Sequence, residues 1–280
     1  MNAIRHWVMG AGLFLFLGAF VHETVAQDRL PIIDMHMHPG GTVTLTVAAL
    51  ERYNIVLGFL SGDSPDDVFE WVEALPGRFI ASPIVRDPAD LDLARLRREY
   101  EAGRFGGMGE IASQYNGIAA DDPVLEPIFA LAEEFDVPVL IHSHGTGHPS
   151  AQFRIEIGRP TRIEEVLVRH PTLRISIEAS GFPFLESTIA LMLHYPNVYG
   201  DLSTWKYTRE IFEWYLRRLL DAGLGSRLMF GSDVAEGRPE VIGESIEAIE
   251  SISFLTQVQK RDIFCNNAAR FLSLDPVVCQ

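Results

Sequence analysis

Two histidines spaced two residues apart are the first residues of this sequence that could do chemistry. His36 and His38 follow the apolar residues Ile32 and Ile33. Because side chains along a strand alternate between its faces, both imidazoles project from the same side and can bind one ion. Surface or core histidines are the alternative interpretation of so short a motif. At the end of an apolar strand, the pair predicts a metal site.

Three more polar residues come at the ends of apolar segments. Glu110, His142 and Asp233 each end or follow such a segment. In a parallel α/β barrel the active site lies at the C-terminal ends of the strands, so we expect these side chains to converge with His36 and His38. The alternative roles are a structural carboxylate for Glu110, a backbone-bonded histidine for His142 and a helix N-cap for Asp233.

The elements that would position these residues are short strands alternating with helices. Apolar runs and segments of helical period alternate from Pro31 onward, which is typical of βα units and a parallel sheet. We predict an α/β fold, a single-domain (β/α)8 barrel, which forms at about 250 residues. An open doubly wound sheet is the alternative, and the lack of a glycine-rich motif after the first strand disfavours it. The predicted strands are 31–36, 54–60, 79–85, 106–111, 138–142, 173–179, 198–202 and 227–231.

Several helix boundaries can be predicted from capping residues. Ser64 before Pro65, and Asp122 before Pro123, are typical of helix starts. Apolar residues at helical spacing within 123–135 indicate one side packed on the sheet. We also predict an additional C-terminal helix over 256–272 that closes the lower rim of the barrel.

The composition excludes some classes of partner. The chain of 280 residues is 47% hydrophobic and 22% charged, which is typical of a globular protein with a large core. Its formal net charge of −15 would repel nucleic acid and anionic membrane surfaces. We therefore expect a small-molecule substrate and no nucleic-acid partner.

Residues 1–26 have the pattern of a secretory signal peptide. Arg5 precedes an apolar run over 7–20, and Thr24-Val25-Ala26 has the small residues of a cleavage site. The run is shorter than the ~20 residues of a spanning helix, which disfavours the alternative of an uncleaved membrane anchor. We expect cleavage after Ala26, a barrel domain over 27–280, and a periplasmic or secreted protein that no longer contacts a membrane.

The only two cysteines lie close together near the C-terminus. Cys265 and Cys279 would meet an oxidising compartment after export, where a disulfide could persist. Two unpaired thiols are the alternative, one in the last helix and one in the tail.

Beyond these single features, the sequence resembles the amidohydrolase superfamily, in particular its amidohydrolase-related branch of decarboxylases and lactonases. The resemblance covers nearly all of the chain after the signal segment. The segments that carry it are DMHMH (34–38), GMGEI (107–111), VLIH (139–142), PNVYGDL (196–202), RLMFGSD (227–233) and NNAARFL (266–272).

The resemblance implies a metal centre. His36, His38, His142 and Asp233 match the family's ligands from strands one, five and eight. Glu110 matches a strand-four carboxylate that bridges two metals in some members, such as the TatD-type nucleases. Imidazole and carboxylate ligands suit zinc, which is the expected ion, and they also suit manganese and iron.

The sequence departs from the family at strand six. Alignment on the turn 181–183 puts Ala179 where relatives carry a histidine, and alanine binds no metal. Strand alternation predicts that the adjacent Glu178 points away from the interior, and only a β-bulge would turn it inward as a substitute ligand. We therefore do not expect a complete binuclear site. His144 and His148, in the loop after strand five, could replace the missing group or could merely meet solvent.

The expected activity is hydrolysis of a small ester, lactone or amide. A bound metal would supply a water of pKa roughly 7, Asp233 would act as the base, and His144 would orient the substrate oxyanion. A non-oxidative decarboxylase is the first alternative, and it would need a cation such as Arg154, Arg159 or Arg238 to hold a carboxylate. A degenerate barrel that only binds a ligand is the second alternative, because of Ala179.

Overall fold

A computed structural model gives the structure of residues 29–40, 42–147, 150–203, 208–235 and 238–280. The predicted signal peptide over 1–26 lies outside these residues, as does His148.

All eight predicted strands are present in the described residues, most with narrower bounds. Apolar side chains dominate them, as expected for parallel strands that are covered on both faces. The strands are β1 (Ile32–Met37), β2 (Ile55–Gly62), β3 (Phe79–Pro83), β4 (Met108–Ile111), β5 (Val139–Ile141), β6 (Ile175–Ile177), β7 (Val198–Asp201) and β8 (Leu228–Met229).

The strands form a closed ring. Strands β1 to β3 pair in parallel in sequence order, and so do strands β4 to β8. Val85, just after β3, bridges to Ile111, and its N–H donates to the Glu110 carbonyl at 2.8 Å. Met37 bridges to Val234, which joins β1 to the segment after β8. This closure confirms the (β/α)8 barrel and excludes the open doubly wound sheet.

Helices follow the strands and cover the ring. In the described residues they are α1 (Val43–Tyr53), α2 (Pro65–Ala74), α3 (Leu93–Glu101), α4 (Glu126–Glu134), α5 (Ile163–Arg169), α6 (Leu185–His194), α7 (Arg209–Asp221), α8 (Glu240–Glu250), α9 (Gln257–Arg261) and α10 (Asn267–Phe271). None of them has both the length and the hydropathy that crossing a membrane would require.

The predicted helix starts are confirmed. The Ser64 side chain caps α2 by accepting from the Asp66 N–H. Asp122 caps a 3-10 turn, Pro123–Leu125, that leads directly into α4. The residues predicted to pack on the sheet are all buried, namely Leu125, Ile128, Phe129, Leu131 and Ala132.

The predicted C-terminal helix has three consecutive parts. Thr256 forms a capping box with Gln259 at the start of α9, a π-helical segment covers Asp262–Asn266, and α10 follows. Four buried residues of this region share an apolar cluster with Ile33, Leu140 and Met229 of the strands, namely Cys265, Ala268, Ala269 and Phe271. These strand residues precede the polar residues of the strand ends, so the helix covers the opposite end of the barrel from the candidate site.

A disulfide holds the C-terminal tail to this helix. Cys265 and Cys279 are bonded, with a sequence separation of 14 residues and Cα atoms 5.7 Å apart. Both residues belong to the apolar cluster at the closed end of the barrel. The alternative of two free thiols is therefore excluded.

Removing this bridge should lower the stability of the protein without changing the barrel mouth. A loop of this length restricts the unfolded chain by about 3 kcal/mol in the chain-entropy treatment. We expect the Cys265→Ala/Cys279→Ala variant to lose a free energy of unfolding of that order in urea titrations. Reducing agent should lower the stability of the wild type to a similar value and leave the variant unchanged. Equal stability of the variant and the oxidised wild type would contradict this prediction.

Candidate metal centre

Backbone pairing between β1 and the segment after β8 positions three of the predicted ligands. The Asp233 N–H donates to the His36 carbonyl at 2.8 Å, and the His38 N–H donates to the Val234 carbonyl at 2.9 Å. Asp233 has a left-handed φ of 52°, a conformation in which aspartate is more common than most residues. The three side chains therefore stand next to one another on adjoining segments, as the sequence predicts.

The donor atoms of these three residues form a compact group. The Nε2 atoms of His36 and His38 are 3.2 Å apart. The Asp233 Oδ1 atom lies 3.6 Å from the first and 3.5 Å from the second. Ligand atoms about 2.1 Å from one tetrahedral ion lie about 3.4 Å from each other, so these spacings suit a single metal. We call His36, His38 and Asp233 the first donor group.

A buried carboxylate lies directly behind this group. Asp34 Oδ1 accepts from the backbone N–H of Ser232 at 2.9 Å and from that of His36 at 3.2 Å. Complete burial raises the pKa of Asp34 to about 6, although these hydrogen bonds oppose the shift. Asp34 thus ties β1 to the chain after β8 at the level of the ligands.

Glu110, at the end of β4, lies between the first donor group and the histidine after β5. Its Oε2 atom is 3.7 Å from His36 Nε2 and 3.4 Å from His38 Nε2. Its Oε1 atom is 2.9 Å from His142 Nδ1. The preceding Gly109 has a φ of 108°, and a Cβ there would lie 2.1 Å from the Leu140 carbonyl oxygen. Only glycine therefore fits beside β5 at the position that places Glu110.

Glu178 is the residue whose orientation the sequence predicts wrongly. Its side chain is buried in the site, with Oε2 2.6 Å from His142 Nδ1 and Oε1 3.2 Å from His144 Nε2. Leu140 of β5 pairs with Ser176 of β6, so two residues later His142 and Glu178 share a face. The sequence alignment placed Ala179 at the inward-facing position, which the neighbouring Glu178 occupies. Ala179 begins a turn with a left-handed φ of 49°.

Asp201, at the end of β7, is a site residue that the sequence analysis missed. Its Oδ1 atom accepts from the N–H groups of Ala179 and Ser203, both at 3.0 Å, and thereby holds the turn after Glu178. Its Oδ2 atom lies 3.6 Å from His36 Nδ1. Because Ser176 pairs with Tyr199, Asp201 is on the same face as Glu178, which is the signal that could have identified it.

His144 is buried inside the site rather than exposed to solvent. Its ring centroid lies 4.0 Å from that of His142, and its Nδ1 atom is 2.8 Å from the Thr146 hydroxyl. The alternative in which His144 merely meets solvent is therefore excluded. His148, the other candidate of this loop, is outside the described residues.

Opposite charges shift the pKa values of these buried groups. Burial alone would lower the pKa of His36, but the charges of Glu178 and Asp233 raise it well above its ordinary value. For His142, burial again opposes the shift, and Glu178 and Glu110 raise the pKa to about 10. Burial would raise the pKa of both glutamates, yet the neighbouring histidines hold it below its ordinary range. A bound cation would compete with protons for these positions.

Two buried atoms of the cluster make no hydrogen bond within the described part of the chain. They are His36 Nδ1 and Asp201 Oδ2, which lie 3.6 Å from each other. Each unsatisfied buried polar group costs about 1–3 kcal/mol, so a nearby cation would stabilise the cluster. Histidine nitrogens with carboxylate oxygens suit zinc, manganese and iron. The residues present therefore fit a divalent metal.

A cavity of about 920 Å³ opens onto the cluster. Its volume is within the range of small-molecule sites. Arg86 and Arg238 line it, together with His38, Glu110 and Asp233. Arg238 is thus the one proposed carboxylate-binding residue at the cavity, and Arg86 was missed.

The other two candidate arginines point elsewhere. Arg154 donates to backbone carbonyls of its own loop, and Arg159 pairs with Glu156. Neither of them lines the cavity.

Most of this chain matches the model of a known family. The profile described as amidohydrolase matches residues 40–274, beginning two residues after His38. The chain belongs to the amidohydrolase family. A search of curated proteins finds no match.

Solved structures share the fold of this amidohydrolase at low sequence identity. A protein assigned as a 2-pyrone-4,6-dicarboxylic acid hydrolase of Acinetobacter baumannii, with citric acid bound, is 15% identical with a TM-score of 0.65, covering 88% of this chain and 100% of its own. The 5-carboxyvanillate decarboxylase of Sphingomonas paucimobilis is 15% identical with a TM-score of 0.60 and the same coverage. A dihydroxybenzoic acid decarboxylase of a Polaromonas species, with bound manganese and an inhibitor, is 13% identical with a TM-score of 0.61, covering 87% of this chain and 97% of its own.

Loss of a first-group histidine should weaken metal binding to this amidohydrolase. We expect the His36→Ala variant to bind zinc or manganese at that group roughly 100-fold more weakly or worse, since even outer-shell substitutions cost 10- to 100-fold. Metal content after dialysis, measured by inductively coupled plasma mass spectrometry, provides the test. His194→Ala is the matched control, because His194 is exposed at the end of α6. Equal metal content in the two variants would show that His36 is not a metal ligand.

Proposed function

We propose that this amidohydrolase is a metal-dependent hydrolase that acts on a small ester, lactone or amide. The observation that carries the proposal is the first donor group, whose three donor atoms lie within 3.2–3.6 Å of one another beside a cavity of about 920 Å³. Such a site would have room for a divalent cation at the donor atoms and for a substrate beside them.

The side chains around the cavity would each have a different chemical role. When bound, a divalent cation supplies a water of lowered pKa and polarises a substrate carbonyl. The Asp233 side chain is 21% exposed and lines the cavity, so it would be placed to accept a proton from a water in the cavity and to pass it to the leaving group. His36 and His38 would hold the cation, and zinc is the expected ion. Glu110 Oε2 faces the same nitrogens and adds negative charge to the site.

Two arginines support a substrate that carries a carboxylate. Arg86 Nε donates to Asp63 Oδ1 at 2.7 Å. This contact orients the guanidinium group, whose other N–H groups can donate to a substrate. Arg238 lines the cavity on the side of Asp233 and Val241. A guanidinium binds a carboxylate through two parallel hydrogen bonds, which would fix the substrate relative to the first donor group.

Non-oxidative decarboxylation is the second candidate function. The arginines favour it as well, because a substrate that loses carbon dioxide must first present its carboxylate. Two of the solved structures described above are decarboxylases, which supports this candidate.

We also propose that the protein works outside the cytoplasm, in the periplasm or after secretion. The signal-like pattern of residues 1–26 motivates this, and the Cys265–Cys279 disulfide supports it because such bonds persist in oxidising compartments. Fractionation of the native host, with an antibody against the protein, tests the location. Recovery in the cytoplasmic fraction with residues 1–26 still attached would overturn the proposal.

Product analysis distinguishes the candidate reactions. Zinc- or manganese-loaded protein is incubated with a panel of lactones, esters, amides and aromatic carboxylic acids, and products are identified by mass spectrometry. Ring-opened or cleaved acids support hydrolysis, whereas release of carbon dioxide supports decarboxylation. The Asp233→Asn variant should lose about 10²- to 10⁴-fold in kcat as the base is removed, and its metal content is measured in parallel. Ligand binding without any turnover would favour the binding barrel.

Arg86 should control the affinity for carboxylate substrates. A hydrogen bond to a charged group is worth about 1.5–3 kcal/mol, so Arg86→Ala should raise KM roughly 10- to 100-fold for a carboxylate-bearing substrate. The KM of its neutral amide analogue should stay unchanged. Arg154→Ala serves as the control, because Arg154 does not line the cavity. Equal effects on both substrates would mean that Arg86 does not contact the carboxylate.

A further inference from the structure

A buried glutamine after β4 contacts both ends of the loop that follows β5. Gln114 lies in the 3-10 turn Ser113–Asn116 and is only 2% exposed. Its Nε2 atom donates to the His144 carbonyl at 2.9 Å and to the Arg154 carbonyl at 3.2 Å. His144 comes just after β5, and Arg154 comes just before the 3-10 turn Ile155–Gly158. One amide group therefore joins the beginning of this loop to its end.

The contact depends on the N–H groups of the glutamine side chain. The Oε1 atom of Gln114 is buried and makes no hydrogen bond within the described residues. A buried oxygen without a partner is unfavourable, whereas the amide nitrogen donates to two carbonyls. The amide is therefore explained by what it donates. Glutamate would have the same shape without these donors, and methionine would have about the same length without them.

The backbone of Gly158 packs directly against this amide. A Cβ at position 158 would lie 2.4 Å from both polar atoms of the Gln114 side chain and 2.3 Å from the His144 carbonyl oxygen. Only glycine therefore allows such close packing around the contact. The Ser143 hydroxyl, beside His144, also donates to the Gly158 carbonyl at 3.2 Å. The backbone of His144 is thus fixed from two sides.

The ring of His144 is oriented by Thr146. The Thr146 N–H donates to His144 Nδ1 at 3.3 Å, and the Thr146 hydroxyl lies 2.8 Å from the same atom. A nitrogen that accepts from an N–H group carries no proton, so the proton of the neutral imidazole is on Nε2. Nε2 lies 3.2 Å from Glu178 Oε1. Because all three residues line the cavity, an N–H donor is held at its wall.

The residue next to Gln114 makes further contacts between the turn and the loop. The Tyr115 ring centroid lies 4.7 Å from that of His142 and 5.5 Å from that of Phe153. The Tyr115 carbonyl accepts from the Ser150 hydroxyl at 2.8 Å. The turn after β4 and the loop after β5 therefore form one connected wall beside the cavity.

We propose that Gln114 is a positioning residue, which fixes the His144 backbone and thereby places the His144 N–H where it can bind the substrate oxyanion. This inference rests on the proposed function, in which negative charge develops on that oxygen. Gln114 does not line the cavity, so it acts through His144 and not on the substrate. A displacement of about 1 Å in a catalytic group can cost about 100-fold in rate.

Single and double variants test this role. They are compared on the lactone, ester or amide of the panel that the zinc-loaded wild type cleaves fastest. Gln114→Met should lower kcat roughly 10- to 100-fold and leave KM unchanged, since the His144 contact forms in the transition state. His144→Ala should lower kcat about 10²- to 10³-fold, as for loss of an oxyanion donor. The double variant should be no slower than His144→Ala, because Gln114 acts only through His144.

A matched control and a second variant exclude a general effect on folding. Gln152→Met makes the same substitution at an exposed position of the same loop and should keep the kcat of the wild type. If Gln114→Met does not fold, as judged by circular dichroism, Gly158→Ala replaces it. The added methyl group should displace the Gln114 amide and give the same loss of kcat with unchanged KM.

Nuclear magnetic resonance provides a readout that needs no turnover. In zinc-loaded protein with isotope-labelled histidine, the His144 ring should carry its proton on Nε2. Gln114→Met should shift the ring signals of His144 and leave those of His194, which is exposed at the end of α6, unchanged.

The outcomes separate this inference from the proposed function. A wild-type kcat in Gln114→Met would overturn the positioning role. So would a double variant that loses the product of the two single effects. If the wild type cleaves no compound of the panel, the proposed hydrolase fails, and the ring signals then decide whether Gln114 positions His144. A shift in Gln114→Met supports the contact, and spectra identical to those of the wild type overturn it.

Discussion

The burial of several carboxylates against histidines is the interaction on which the barrel mouth depends. Glu110, Glu178 and Asp201 are almost completely inaccessible to solvent, and each lies within 4 Å of an imidazole nitrogen. Burial of one ionised carboxylate without a partner costs several kcal/mol of folding free energy, even after the surrounding protein relaxes. The strand ends can therefore close around these groups only because opposite charge, from protonated histidines or from metal, is present in the same small volume.

The closed ring of strands makes this concentration of charge possible. Parallel strands all direct their C-terminal ends to one rim, and pairing between neighbours fixes which residues stand side by side. Leu140, Ser176 and Tyr199 are in register, so the residues two positions further on form one layer. Asp34 and Asp201 then hold the backbone of the neighbouring segments through hydrogen bonds to N–H groups. The geometry of the donor atoms is thus set by the barrel rather than by flexible loops.

The apolar cluster with the disulfide and the candidate site lie at opposite ends of the same barrel. At the closed end, the C-terminal helix and the Cys265–Cys279 disulfide bury an apolar cluster with Ile33, Leu140 and Met229. Two to four residues further along the chain come His36, His142 and the Gly231–Asp233 segment. The apolar cluster compensates for the unfavourable burial of charge at the mouth, because both belong to one cooperatively folded unit.

The sequence by itself determined the strands, the first donor group and the family. Those features are local: period-two alternation places His36 and His38 together, and apolar runs locate the strand ends that carry Glu110, His142 and Asp233. Only the tertiary structure decided the orientation of Glu178, the role of Asp201 and the presence of Arg86 at the cavity. The physical reason is that register between strands arises from barrel closure over long sequence separations. A shift of one residue reverses the face on which a side chain lies, and no local pattern encodes that choice.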